Sequence, residues 1–264
     1  MYAEERQQAI ADQVHQHGRA SVAALAEEFD VTSETVRRDL AFLERAGFLR
    51  RVHGGAVPVD AVRVTELGVA ERATARPDEK IRIGMAACRF VPSEGGSLVI
   101  DAGTTAIAAA ACLPRDRTIT VFTNSLPVAS TVADHPSAHL HFLGGRIRGL
   151  TQAAVGAAPI AALSNYRVDV AFIGANGITE RHGLSTPDPD EGAMKSAMIA
   201  AANRVVVLAD SSKFGKEDMT GFADLSRVDV VITDSGIDAG FSARLSARGV
   251  AVGNLALSRA KPPL

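Results

Sequence analysis

The chain has 264 residues, of which 47% are apolar and 22% charged, with a formal charge of −2. That describes an ordinary globular protein with room for two domains, and it argues against bulk attraction to nucleic acid, so any DNA contact must come from a local patch. Two cysteines, Cys88 and Cys112, have neither zinc-ligand nor disulfide-framework spacing, and the start MYAEERQQ lacks the basic and apolar regions of a secretory signal; reduced thiols in a cytoplasm are expected.

In chain order, residues 4–17 predict a helix with Ile10 and Val14 facing inward, ended by Gly18. Residues 21–29 predict a second, with Val22, Leu25, Ala26 and Phe29 forming one stripe. After the break at Asp30-Val31, Thr32 or Ser33 is placed to cap a third helix over 33–46, where Val36, Leu40 and Leu43 form the buried stripe and Arg38 points away. Ser33, Thr35, Arg37 and Arg38 then lie on or beside an exposed face near the helix N-terminus, the part of a helix-turn-helix that reads base edges. The run Phe48 to Gly55 predicts a β wing whose Arg50, Arg51 and His53 meet backbone phosphates. Between Thr35 and Val57 five positive residues (Arg37, Arg38, Arg45, Arg50, Arg51) face two negative ones (Asp39, Glu44), whereas residues 1–34 hold two positive and seven negative. A protein-interaction module with a surface arginine pair is the bland alternative; the segregated charge favours DNA.

Residues 58–77 lose periodicity and are expected to be an interdomain linker with room for one short helical turn. Asp78 is placed to cap an amphipathic helix carrying Ile81, Met85, Ala86 and Phe90. From there to residue 257 one grammar repeats: Leu98–Ile100, Ile119–Phe122, Leu140–Leu143, Val168–Ile173, Arg204–Ala209 and Val228–Ile232 are apolar runs, each leading to a polar or glycine turn and often a helix. Continuous Val/Ile/Leu runs indicate strands buried on both faces, hence an α/β domain with a mostly parallel sheet. Residues 258–264 look frayed.

Ligands of open α/β sheets bind outside the strand C-termini. Asp101-x-Gly103-Thr104-Thr105 would let backbone N–H groups and a helix dipole hold a phosphate, though Gly-Thr before a helix is often only a cap. Asn124-Ser125 repeats the pattern. Lys213 suits a phosphate or bulk solvent equally. Lys195, one turn after Glu191, reads as a surface ion pair. Arg146 and Arg148 are ambiguous, His182 reads as structural, and His139 and His141 lack a third ligand, so no metal or other cofactor is expected.

Thr32-x-x-Thr35-Val36-Arg37-Arg38-Asp39-Leu40, with Leu43, Gly47, Leu49, Arg51 and His53-Gly54-Gly55-Ala56, resembles the DeoR family of bacterial transcriptional regulators, as does Glu5-Arg6-x-x-x-Ile10. The resemblance runs from about residue 4 to residue 250. It implies a winged helix-turn-helix over 1–57 and, over 78–257, an effector domain similar to ribose-5-phosphate isomerase that binds a phosphorylated sugar. By the same resemblance the effector residues are Asp101, Gly103, Thr104, Thr105, Asn124, Gly145, Arg148, Gly174, Asn176, Lys195 and Lys213. One departure stands out: many members carry Gly-Ala-Asp-Gly where this chain has Gly174-Ala175-Asn176-Gly177. The expected partners are operator DNA, a phosphorylated sugar and further copies of the chain, with no membrane. The competing expectation is a sugar-phosphate isomerase with an appended DNA-binding domain. It needs a general base, and the isomerase pattern Asp-Gly-Ala-Asp reads Ile173-Gly174-Ala175-Asn176 here, without either carboxylate.

Overall fold

The structure, a computed structural model, describes residues 3–17, 20–52, 54–58 and 67–254. His53, Gly18, residues 59–66 of the expected linker and the expected frayed end lie outside the described residues, and so does the Arg50 side chain. The chain divides into two compact units at 66/67.

In the first unit, helices Ala3–His17, Val22–Glu28 and Ser33–Arg45 close over a core of Ile10, Val14, Leu25, Val36, Leu40 and Leu43. Caps set the helix starts: the Ser21 hydroxyl accepts from Ala24 N–H, and the Thr32 hydroxyl from Thr35 N–H at 3.2 Å. Thr32, not Ser33, is therefore the cap of the third helix. Strands Leu49–Val52 and Gly55–Pro58 form the wing, and Ala20–Ser21 pairs with the second of them. The latter approach is so close that a Cβ on Gly55 would sit 2.1 Å from the Ala20 carbonyl oxygen.

The second unit is built on seven parallel strands in the order Ala251–Asn254, Val230–Thr233, Ala202–Leu208, Val168–Ile173, Ser97–Ile100, Ile119–Thr123, Ala138–Phe142. Alternate residues feed opposite cores. Leu98, Ile100, Val170 and Phe172 face one side, and Val99, Ala171 and Ile173 the other, all buried. The chain winds outward from Ser97–Ile100 to one edge, then returns at Val168–Ile173 and winds to the other, so the order reverses between those two strands.

Several expectations need correction. The linker expected over 58–77 ends sooner, because Leu67 onward belongs to the second unit; helix Val69–Thr74 is anchored there by Val69 N–H on the Leu150 carbonyl at 2.9 Å. The next helix, Pro77–Ala87, is capped by Arg76, with Asp78 in its first turn. Its stripe is rotated from the one expected. Ile81 and Met85 are exposed, and Lys80, Ile83, Gly84 and Ala87 are buried, since small residues let it lie on helix Thr104–Ala111: a Cβ on Gly84 would meet Ala108 C at 2.6 Å. Two small antiparallel sheets, Arg146–Arg148 with Ala153–Val155 and Gly177–Thr179, Gly183–Thr186 and Thr220–Ala223, were not foreseen.

Candidate functional site

In the first unit the Ser33–Arg45 helix offers Arg37 and Arg38 to solvent, their side chains 61% and 82% exposed, with Glu34 at 3.6 and 4.0 Å. Ser33 and Thr35 lie on the same first turn, where the Thr35 hydroxyl is 2.9 Å from that of Thr32. The two acidic residues of the basic stretch are both occupied. Asp39 turns inward, 4% exposed, and takes Arg6 Nε at 2.6 Å and Gln7 Nε2 at 2.8 Å. Glu44 takes the Arg51 backbone N–H at 2.9 Å and Arg51 Nε at 2.7 Å, fastening the wing to the helix. Asp39 and Glu44 are thus withdrawn from the open face, Glu34 is the carboxylate that remains beside Arg37 and Arg38, and Arg51 is less free than expected.

In the second unit the polar strand ends gather where the strand order reverses, the place open α/β sheets bind ligands. Asp101 follows Ser97–Ile100 and is 1% exposed; its Oδ2 accepts from Gly174 N–H at 3.0 Å and from the Lys195 ammonium. Lys195 also donates to the Gly174 carbonyl at 3.1 Å and lies 5.7 Å from the Phe222 ring centroid. The surface pair expected between Glu191 and Lys195 does not exist. Both lie buried on helix Pro189–Ala201 and point to different partners off it: Glu191 takes Thr151 and Arg148, Lys195 takes Asp101.

Beside this pair, Gly103 starts helix Thr104–Ala111 at φ 148° with no side-chain cap, and nothing lies within 4 Å of where its Cβ would be. The first N–H groups of that helix and the Thr104 and Thr105 hydroxyls are thereby left to meet an anion. Asn176 donates its N–H to the Ser185 carbonyl at 3.0 Å, and its Oδ1 accepts from the Thr186 hydroxyl at 3.3 Å. Asn124 donates Nδ2 to the Ala154 carbonyl at 2.9 Å, leaving a buried Oδ1 without a partner, while Ser125 is the helix cap.

Arg148 and Gly145 fall elsewhere. Arg148 meets Asp188 at 3.0 Å and Glu191 at 3.1 Å, tying the Arg146–Arg148 hairpin to the helix. A Cβ on Gly145 would strike Pro159 Cδ at 2.7 Å, which explains the glycine by packing.

A second set of charges, largely missed from the sequence, stands at the ends of the next two strands. Arg76, in the left-handed region at φ 51°, donates NH1 to the Ser211 hydroxyl at 2.8 Å and lies 3.8 Å from Asp210 and from Asp234. Lys80 is buried and donates to the Arg72 and Ala75 carbonyls. Burial pushes the Lys80 and Lys213 ammonium groups below the ordinary lysine range; Asp210 opposes this in both, while Arg72 adds to it. Burial also pushes the Asp234 carboxyl up, but N–H bonds from Ser211 and Gly236, with Arg76 nearby, outweigh it and hold the carboxyl below its ordinary value. Arg72, Arg76 and Lys80 recur every four residues in the sequence. That was the available signal, hidden because Pro77 interrupts the helix. Neighbouring strands are ~4.8 Å apart, so Asp101 and Asp210, two strands apart, are separated by about 10 Å. Among the described residues no cluster of His, Cys, Asp and Glu is arranged to hold a metal, and no helix is long and apolar enough to cross a membrane.

A winged helix-turn-helix followed by an α/β domain with polar strand ends is the build of a ligand-responsive DNA-binding regulator. Residues 6–62 match the model of the DeoR-like helix-turn-helix domain, and residues 75–235 match that of the DeoR C terminal sensor domain. The chain belongs to the DeoR family of transcriptional regulators. It is 34% identical to the HTH-type transcriptional repressor GlcR of Bacillus subtilis, over 95% of each chain. It is 34% identical to the HTH-type transcriptional regulator GlpR of Haloferax volcanii, over 96% of this chain and 98% of that one, and 32% identical to the glycerol-3-phosphate regulon repressor of Escherichia coli, over 88% and 90%. Among solved structures, ribose 5-phosphate isomerase A of Methanocaldococcus jannaschii aligns with a TM-score of 0.41 at 20% identity, covering 54% of this chain and 56% of that one.

Proposed function

We propose that this regulator represses a carbohydrate uptake or catabolic operon in the cytoplasm and releases DNA when a phosphorylated sugar fills the strand-end site. The observation that carries the sensing half is the Asp101–Lys195–Gly174 junction at the reversal of strand order, beside the uncapped start of the Thr104–Ala111 helix. The phosphate is assigned to Gly103, Thr104, Thr105 and Lys213. The hydroxyls are assigned to Asn176, Asn124 and the carboxylates between, with Arg72 and Arg76 completing the far side. The similarity to a glycerol-3-phosphate regulon repressor and the charge of the site favour this chemistry.

On the DNA side, Ser33, Thr35, Arg37 and Arg38 enter the major groove, and Arg50, Arg51 and His53 hold the phosphate backbone. One such helix covers too few base pairs for a genomic address, so the assembly is a symmetric oligomer on repeated half-sites. The ligand loosens DNA only by favouring one arrangement of the protein over another.

The site binds without turnover. Proton transfer between adjacent carbons needs a free general base. Asp101 is committed to Lys195 and Gly174, and position 176 is an amide. The test is a thermal-shift screen against sugar phosphates, followed by gel retardation with upstream DNA of the neighbouring genes. A compound that raises the melting temperature must also release the duplex and remain chemically unchanged. Turnover of a pentose phosphate, or indifference to every such compound, refutes the reading.

A further inference from the structure

The seven-stranded sheet ends at Ala138–Phe142. Edge strands are usually blunted by charge, proline or a bulge. AHLHF has no Lys, Arg, Asp, Glu or Pro, and its register with Ile119–Thr123 is unbroken. Ile119 N–H donates to the Ser137 carbonyl at 3.1 Å and Leu143 N–H to the Thr123 carbonyl at 2.8 Å. Alternation along the ladder therefore turns the backbone groups of His139 and His141 inward and those of Leu140 and Phe142 outward. The side chains of His139, His141 and Phe142 are exposed, Phe142 at 40%. Two neighbours add apolar surface: Tyr166, 44% exposed with its ring 6.1 Å from that of His141, and Leu126, 42% exposed on the helix packed against this strand.

We propose that this edge is a dimer interface, taking the same edge of a second copy in antiparallel register about a twofold axis at Leu140. The pattern is self-complementary. Antiparallel pairing centred on residue 140 sets 138 opposite 142 and 139 opposite 141 in both directions. The two Leu140 residues exchange both outward hydrogen bonds, and the large Phe142 of each copy lies over the small Ala138 of the other. The histidines of the two copies face one another in the non-hydrogen-bonded positions, where side chains come closest. A charged edge would oppose itself in such a pairing; this one does not. Every contact recurs by symmetry, as an isologous interface requires. The inference deepens the reading of a symmetric oligomer on repeated half-sites by saying where two copies meet.

The full chain tests it. In sedimentation equilibrium the parent is expected to be a dimer or a multiple of one. Phe142→Lys sets a cation at each end of the pairing and should raise the dimer dissociation constant roughly tenfold or more, equal to about 1.4 kcal/mol. Should that variant fail to fold, the double substitution His139→Cys/His141→Cys decides. Facing Cβ atoms in antiparallel pairs lie about 4.5–5.5 Å apart, within a small adjustment of disulfide geometry. Oxidised glutathione, reduced to two thiols for each S–S bond formed, should give a covalent dimer on a non-reducing gel where the parent gives none. An oligomeric parent whose double-cysteine variant does not cross-link overturns this interface and leaves the oligomer reading standing. A monomeric parent overturns both.

Discussion

Replacing Lys195 with methionine tests the junction at the centre of the sensor. The substitution is nearly isosteric and removes only the ammonium. Lys195 is 4% exposed and Asp101 1% exposed, so the carboxylate left behind is dry and keeps one donor, Gly174 N–H at 3.0 Å. Breaking a buried pair from one side costs about 3–5 kcal/mol. For a unit of about 200 residues each kcal/mol moves the melting temperature by roughly 2–4 °C, so Lys195→Met should melt roughly 6–20 °C below the parent. An exposed pair would be worth about 1 kcal/mol at most, a shift of ~4 °C or less. Asp101→Asn/Lys195→Met removes both charges and should recover much of the loss, so calorimetry on the parent, the two singles and the double measures the coupling. A single variant within about 4 °C of the parent, or a double no better than the worse single, refutes the argument.

Arg38→Ala should weaken specific operator binding by about 10- to 100-fold while leaving the sugar-phosphate thermal shift intact; equal loss of both readouts would mean misfolding instead. Lys213→Ala or Thr104→Ala should still retard operator DNA and no longer respond to effector, measured as release in the same gel. The burial-lowered Lys213 fixes the sign of a pH effect. Between its folded pKa and 10.5 the unfolded chain keeps the proton longer, so this lysine makes ligand-free stability rise with pH there. Affinity for an anionic effector should fall across the same interval, as calorimetric titration would show; constant affinity would place the phosphate away from Lys213. Burial, with Cys112 adjacent, pushes the Cys88 thiol up to about 12, so Cys88 should alkylate much more slowly in the native protein than in denaturant by mass spectrometry.

Where a local rule decides, the sequence was enough. The spacing of Val36, Leu40 and Leu43 fixes the inward face of the Ser33–Arg45 helix, and runs such as Val168–Ile173 mark strands covered on both sides. Asp101 to Thr105 stands out because glycine and hydroxyls meet a helix start. What escaped depends on distant partners. Lys195 lies 94 residues from Asp101, and its spacing from Glu191 suggested a solvated pair. Arg76 reaches Ser211 across 135 residues from a stretch without periodicity. The Pro77–Ala87 helix was rotated in expectation because Gly84 carries no apolar signal and Ala87 a weaker one than Ile81 or Met85, although their smallness is what brings two helices together. The short antiparallel strands are three or four residues long, too brief for alternation to register.

The Arg6–Asp39 bond has a practical reach. Asp39 sits midway along the Ser33–Arg45 helix, yet what satisfies its carboxylate comes from the first turns of helix Ala3–His17. Trimming the first seven residues strips that carboxylate of both side chains that hold it, inside the folded unit. A truncation that spares every residue of the helix-turn-helix would therefore still disable it, and an N-terminal fusion must leave the opening helix free to close.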